Sequence, residues 1–470
     1  MRFQILLVAL LWSAANSNHF GAESVVLPNI VLIFVDDLGY GDIGPFGNKT
    51  VKTPHLDKFA AEGMKFTSFY ATPVCSMSRA CLMTGCYNAR VSIPGVLFPA
   101  AMTGLNPDEM TLAEVVKQKG YSTICIGKWH LGHREPFLPT KQGFDSYFGI
   151  PYSNDMTIDK DNAKFAKACL FREGMTEEKA RAAAIRHTVP LMRGDEVVEY
   201  PADQSTLTER YTNEATRFIR DKKSEPFFVY LPHSMVHVPL AASDRFRGAS
   251  EGGLLGDAIE EIDWSVGEIM RTLTEQQLDQ KTLVIFTSDN GAASGTSAPW
   301  RGKKGTNFEG GVREPCIMRW PNKIPAGTTC NHIAGNIDLL PTFATLVGVE
   351  LPKDRVFDGR DISSMLLEAK AGPVRDTHLY FTATQTLAAI RQGDWKLFLS
   401  ADAKKGKNAK KAEEVTSAVE LYNLASDPAE TKNVATDEPQ IVEKLKAEAE
   451  KRELEIVQNR RPSGQFTDAN

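Results

Sequence analysis

The chain has 470 residues, too many for one ordinary core, so a large domain with a smaller companion is expected. Its formal net charge of −5, from 54 basic and 59 acidic residues, gives no electrostatic footprint for nucleic acid. Seven cysteines without a CxxC pair argue against a zinc module. They stand at 75, 81, 86, 125, 169, 316 and 330; an odd count leaves one thiol over if the rest pair, and Cys75 is expected to be that one.

Residues 1–22 join Arg2, an apolar run from Ile5 to Trp12 and small residues from Ser13 to Ser17. This reads as a secretory signal peptide whose apolar part is too short to span a bilayer, with an uncleaved anchor as the alternative. Export would place the remainder in an oxidising, calcium-rich compartment, periplasmic or secreted. No later run is long enough for a transmembrane helix.

Asn29–Val35 is a continuous apolar, β-branched run, expected as a strand buried on both faces of a parallel sheet. It ends in Asp36 and Asp37. Two adjacent carboxylates leaving a buried strand call for a cation, and hard divalent ions prefer such oxygen clusters; a turn or capping acid is the plain alternative. Thr53 to Gly63 predicts a short helix and Lys65 to Tyr70 a strand. In the next stretch, Thr72 to Gly85, Cys75 and Arg79 would share a face with the intervening serines if the loop passes into a helix there. Helix-start N–H groups and a guanidinium suit a tetrahedral anion. A buried thiol beside a surface charge is the other reading.

Thr111 to Lys119 predicts an amphipathic helix stopped at Gly120, and Tyr121 to Ile126 a buried strand. That strand delivers Gly127-Lys128-Trp129-His130-Leu131-Gly132, where Lys128 and His130 would face the same way on extended backbone. From Asp155 to Gln204 the strand and helix rhythm is lost; Ala163 to Ala184 reads as helix within an insertion over the sheet edge, the kind of segment that carries specificity. Tyr211 to Arg220 is a helix, and Pro226 to Leu231 a strand leading to His237. Gly256 to Leu273 is a long helix, and Thr282 to Thr287 a strand ending in Asp289 and Asn290. This alternation predicts an α/β fold with a mainly parallel sheet, whose ligands lie beyond the carboxyl ends of strands. Asp36, Asp37, Lys128, His130, His237, Asp289 and Asn290 all fall at such ends and are expected on one rim.

Trp300 to Pro315 is rich in glycine and basic residues, but its glycine spacing is not that of a P-loop, and a flexible basic turn is the plain reading. A helix follows over Asp338 to Leu346, and the pattern changes near Leu351. Segments at 379–381, 387–390, 396–399 and 419–422 predict an antiparallel sheet, closed by a helix from Pro439 to Gln458. The lysine-rich stretch 403–411 reads as a solvated hairpin loop or a contact for an anionic polymer. The expected organisation is a signal peptide over 1–22, a catalytic α/β domain over 23–352 and a C-terminal α+β subdomain over 353–470.

Together these stretches resemble the formylglycine-dependent sulfatases of the alkaline-phosphatase superfamily, particularly the arylsulfatase A and N-acetylgalactosamine-6-sulfatase group. The resemblance rests on Asn29-Ile30-Val31 through Gly39, the Cys75 stretch, Gly127-Lys128-Trp129-His130-Leu131-Gly132-His133, Gly149-Ile150-Pro151-Tyr152-Ser153, Thr287-Ser288-Asp289-Asn290-Gly291, Lys304-Gly305-Thr306 and Phe308 to Pro315. It implies that Asp36, Asp37, Asp289, Asn290 and the modified Cys75 would bind one calcium ion. A maturation enzyme would convert Cys75 to formylglycine, whose hydrate supplies the nucleophile. Arg79 would hold that hydrate, Lys128 and Lys304 the sulfate oxygens, and Ser153 the substrate. His237, helped by Lys304, would protonate the leaving alcohol, and His130 would take a proton from the second hydroxyl to expel sulfate. The implied substrate is a sulfated carbohydrate. At Met77 the chain departs from the family's modification signal, which has proline or alanine there. Two other classes stay open: a phosphate-ester hydrolase of the same superfamily, and a binding protein for sulfated glycans in which Cys75 remains a thiol.

Overall fold

The computed structural model describes residues 27–156, 189–368, 371–400 and 419–467. Its main sheet contains β1 (Asn29–Val35), β2 (Met64–Tyr70), β3 (Ser122–Lys128), β4 (Ser146–Ile150), β5 (Leu191–Arg193), β6 (Glu196–Glu199), β7 (Phe227–Pro232), β8 (Thr282–Ser288), β9 (Arg313–Arg319), β10 (Thr328–Cys330) and β11 (Ala334–Gly335). The order is β10-β2-β9-β8-β1-β7-β3-β4-β5-β6, with β11 also on β2. The centre, β8-β1-β7-β3-β4, is parallel, as the apolar runs require.

Alternate residues of β1 supply the two cores. Ile30, Leu32 and Phe34 pack with α2 (Cys75–Thr84), α3 (Leu112–Lys117) and α6 (Leu339–Val347). Val31, Ile33 and Val35 pack with α1 (Pro54–Ala61), α4 (Leu207–Asp221) and α5 (Gly253–Glu275). Strands buried on both faces end abruptly in polar residues, so the site lies along one edge of this layer.

A second, antiparallel sheet runs β12 (Thr377–Phe381), β13 (Leu387–Gln392), β14 (Trp395–Phe398) and β15 (Glu420–Asn423). Leu379, Ile390, Leu397 and Leu421 share one apolar cluster with Val442, Leu445 and Ile456 of α7 (Pro439–Gln458) and with Met77 and Cys81 of α2. The small sheet therefore covers the helix that begins at Cys75. Met77, fully buried, fills that contact.

The structure corrects several expectations. β9, a buried strand, begins at Arg313 inside the expected basic loop 300–315 and runs on to Arg319: its arginines are paired, Arg313 with Glu309 and Arg319 with Glu62 and Asp279, which hides its strand character in the sequence. Part of the supposed insertion, 191–199, is a hairpin that extends the sheet edge. The expected pairing of the other cysteines is not seen: Cys75, Cys81, Cys86, Cys125, Cys316 and Cys330 are all free and buried. Cys316 and Cys330 stand in register on opposite sides of Phe66 of β2, so a strand separates them. The expected leader 1–22, the helix 163–184, Cys169 and the lysine-rich stretch 403–411 lie outside the described residues. Among those described, no helix is long and apolar enough to cross a membrane.

Candidate active site

β1 and β8 are neighbours in register, Val35 beside Ser288, so their ends place Asp36 and Asp37 beside Asp289 and Asn290. Asp37 takes a left-handed backbone (φ 62°), its N–H donating to Asp289 Oδ1 at 3.1 Å. One oxygen from each of Asp36, Asp37 and Asp289 lies within 4.8 Å of the others. Asn290 joins them by donating Nδ2–H to Asp37 Oδ1 at 2.7 Å.

Three cations face these three carboxylates. Arg79, buried on α2, donates to Asp289 Oδ2 at 2.8 Å and to the Lys128 carbonyl at 2.5 Å. Lys128 binds Asp36 and donates to Ser153 Oγ at 3.1 Å. Lys304 Nζ lies 2.6 Å from Asp37 Oδ1. Burial works to raise the Asp36 pKa, but Lys128, His237, Arg79 and Lys304 outweigh it and hold the carboxyl well below its usual range. Asp289 goes the other way: burial, then the charge of Asp36, pushes it up to about 7.

Three buried oxygens of the cluster have no hydrogen-bond partner: Asp36 Oδ1, Asp37 Oδ2 and Asn290 Oδ1. Buried acceptors are rarely left unpaired, and an all-oxygen donor set of this kind fits a hard divalent cation. Adding such a cation to three carboxylates and three basic groups leaves an excess positive charge. An anionic ester would relieve it.

Cys75 is the first residue of α2, after the extended Val74. Burial, against the pull of Lys128 and Lys304, pushes its thiol above the ordinary value. The serines between Cys75 and Arg79 do not share the site: Ser76 Oγ accepts from Leu97 N–H at 3.1 Å and Ser78 Oγ from Asn336 Nδ2–H at 2.8 Å. A cavity of about 900 Å³ opens over Cys75, with His130, Ser153, His237 and Lys304 in its wall.

Lys128 and His130 reach the site differently from the alternation expected of a strand. β3 ends at Lys128, and His130 is left-handed (φ 58°), which turns its ring to place Nε2 2.9 Å from the Leu97 carbonyl. The carbonyl fixes the proton on Nε2 and leaves Nδ1, which has no partner, as the lone-pair nitrogen. Burial, followed by Lys128 and Arg79, holds this imidazole well below its ordinary pKa. His237 sets Nδ1 2.6 Å from the Val238 carbonyl and Nε2 3.5 Å from Ser153 Oγ. Burial lowers it too, opposed by Asp37.

The basic loop before β9 is pinned. Lys304 N–H donates to the Ala292 carbonyl at 3.1 Å, Gly305 N–H to that of Pro73 at 2.7 Å, and Gly310 N–H to that of Arg301 at 2.7 Å. Sequence reasoning missed the far wall of the cavity, formed by Val96 and Phe98 and by the turn from Thr382 to Leu387 between β12 and β13. Gly95 N–H ties the two together through the Ala383 carbonyl at 3.0 Å. These residue types carry no signature of chemistry, and only the docking of the small sheet brings them to Cys75.

A family model described as Sulfatase matches residues 28–349. The chain belongs to the sulfatase family. A second model, described as N-sulphoglucosamine sulphohydrolase, C-terminal, matches 300–457. The chain is 38% identical over 414 residues to N-acetylgalactosamine-6-sulfatase of Canis lupus familiaris, covering 82% of this chain and 74% of that protein. It is 37% identical over 446 residues to arylsulfatase A of Homo sapiens, covering 89% and 86%. The crystal structure of the sulfatase PsFucS1 from Pseudoalteromonas sp. matches with a TM-score of 0.81 at 29% identity, covering 93% of this chain and 92% of that one. The sulfatase is accordingly a sulfuric ester hydrolase.

Proposed function

We propose that this sulfatase removes sulfate from a sulfated carbohydrate, using formylglycine made from Cys75 and one calcium ion held by Asp36, Asp37, Asp289, Asn290 and the modified residue. The observation that carries this reading is the position of Cys75 at the start of α2, in one cavity with His130, His237 and Lys304 and beside the acidic cluster with its unpartnered oxygens. The similarity to N-acetylgalactosamine-6-sulfatase supports a carbohydrate substrate. The 1–22 leader supports export to the periplasm or medium, and a maturation enzyme must act on residue 75 despite Met77.

When present, the hydrated aldehyde supplies an oxygen nucleophile, and the calcium ion offsets the charge repulsion of attack on a sulfate ester. Arg79 orients residue 75 and balances its charge. Lys128 and Lys304 hold sulfate oxygens as negative charge grows on them. When charged, His237 carries a proton on Nε2, the nitrogen turned into the cavity, for the departing alcohol. His130, kept neutral by burial, takes a proton at Nδ1 from residue 75 as sulfate leaves.

Mass analysis of the peptide containing residue 75, from protein made in a host with a maturation enzyme, is expected to find the aldehyde in place of the thiol. The same preparation should hydrolyse aryl sulfates and not the matching aryl phosphates. An unmodified Cys75 throughout, with no sulfate release, would refute the proposal.

Removal of divalent cations should stop turnover and also lower the unfolding temperature, with calcium restoring both. A cation at 100 times its Kd stabilises by about 2.7 kcal/mol, a readable shift in Tm. An unfolding transition and turnover both indifferent to exhaustive chelation would count against the proposed cation site.

A further inference from the structure

The small antiparallel sheet does more than wall the cavity. Lys396 of β14 is buried and reaches the basic loop from behind. Its Nζ donates to the Asn307 carbonyl at 2.7 Å and lies 2.9 Å from both Glu309 Oε1 and Glu430 Oε1. Glu430, on the segment after β15, accepts the Glu309 N–H on Oε2 at 2.7 Å, and its own carbonyl accepts from Arg301 Nη1 at 2.5 Å. Glu309 is further bonded by Tyr70 and Tyr380 hydroxyls at 2.6 and 3.1 Å. Thus both ends of the segment 301–309, which carries Lys304, are held by two charged residues of the C-terminal region. On its other side the same segment is tied by backbone bonds to Ala292 and Pro73 and by the Lys304 ammonium to Asp37.

We propose that Lys396 and Glu430 are positioning residues for Lys304: they clamp the 301–309 segment so that the Lys304 ammonium stands at the sulfate subsite. The inference rests on the role given to Lys304 above. A loop rich in glycine has little rigidity of its own, and a shift of about 1 Å in a group that touches the reacting atoms costs on the order of 100-fold in rate. The clamp uses charge where an apolar contact would do for packing, since an ammonium hydrogen-bonded to the Asn307 carbonyl and Glu309 Oε1 and paired with the Glu430 carboxylate is held in one place. Breaking such a buried pair strands a partner charge, so Glu430→Gln, which keeps shape and hydrogen-bonding capacity, is the milder companion to Lys396→Met.

The test combines hydrogen exchange and kinetics on the full, matured chain. In Lys396→Met and Glu430→Gln, amide exchange is expected to accelerate in the peptide covering 301–309 while that covering β8 stays as in the parent. In kinetics, kcat/KM on an aryl sulfate should fall by about 10- to 100-fold in the parent background and by less than about threefold in a Lys304→Met background, because the clamp acts through that lysine. Unchanged exchange over 301–309, or equal losses in both backgrounds, would overturn the clamp. Loosened exchange in a protein whose parent hydrolyses no sulfate ester would sustain the clamp and refute the sulfatase chemistry assigned to residue 75 instead.

Discussion

Cys75→Ala is expected to abolish sulfate-ester turnover, by roughly 10⁴-fold or more, with little change in the unfolding transition. The two effects separate because of where the residue stands. Cys75 is the first residue of α2, preceded by an extended Val74 without a side-chain cap, so the helix does not depend on its side chain. Alanine suits a helix, and the substitution removes a single sulfur atom from the cavity wall. Alanine has no thiol to convert to the proposed aldehyde, and that loss has no such cushion: Ser76 and Ser78 are committed to Leu97 and Asn336 and cannot take its place. Steady-state kinetics beside thermal unfolding decide the matter. A variant that retains more than about one thousandth of the parent rate would remove Cys75 from the reaction.

The parts of this site that were legible in the sequence are those where chemistry interrupts a strong pattern. Asp36 and Asp37 follow six consecutive apolar residues of β1, and Asp289 and Asn290 follow β8; a charge at such a place has to be explained. The parallel centre of the sheet could be read for the same reason. What could not be read depends on pairing between distant residues. β9 has the composition of a loop, with Pro315 in its middle, because the register shift against β2 between Glu314 and Cys316 accommodates the proline and remote acids neutralise the arginines. His130 reaches the Leu97 carbonyl through a left-handed backbone at a non-glycine residue, a conformation the sequence does not announce. Lys396 falls in a segment read only as a strand of the antiparallel sheet, and two carboxylates and a carbonyl bury it there.

Met77 illustrates how a departure from a family pattern divides between two steps. In the folded chain it is the third residue of α2, a position in the first turn where proline is also tolerated, and its side chain fills the apolar contact with the small sheet. The fold therefore accepts methionine there without strain. Under the proposed function, the demand on this position would come from a maturation enzyme that meets the segment before it is buried, and the peptide mass of residue 75 reads that step alone.

Gly127→Ala should cost about 3 kcal/mol or more in stability and disable whatever protein still folds. The residue sits inside β3 at φ 128°, and an added Cβ would stand 1.9 Å from the Pro232 carbonyl oxygen of β7. On its other flank, a Cβ on Gly149 of β4 would stand 1.9 Å from the Gly127 carbonyl oxygen. Three strands are thus drawn together at this level by two glycines, with backbone against backbone and no flexible side chain to give way. The pinch lies directly under the chemistry. Lys128 follows Gly127, with its carbonyl on Arg79 and its ammonium on Asp36, and the segment after Pro232 carries His237. Prising β3 from β7 would draw Lys128 away from Asp36 at the end of β1, so kcat/KM should fall by on the order of 100-fold even at temperatures where the variant is folded. Gly120→Ala provides the comparison: it too has a positive φ, 77°, but nothing lies within 4 Å of an added Cβ, and only the backbone penalty of about 1 kcal/mol is expected. Denaturant unfolding of both variants separates crowding from backbone strain, and equal losses in the two would show that the close approach of the strands has no energetic weight.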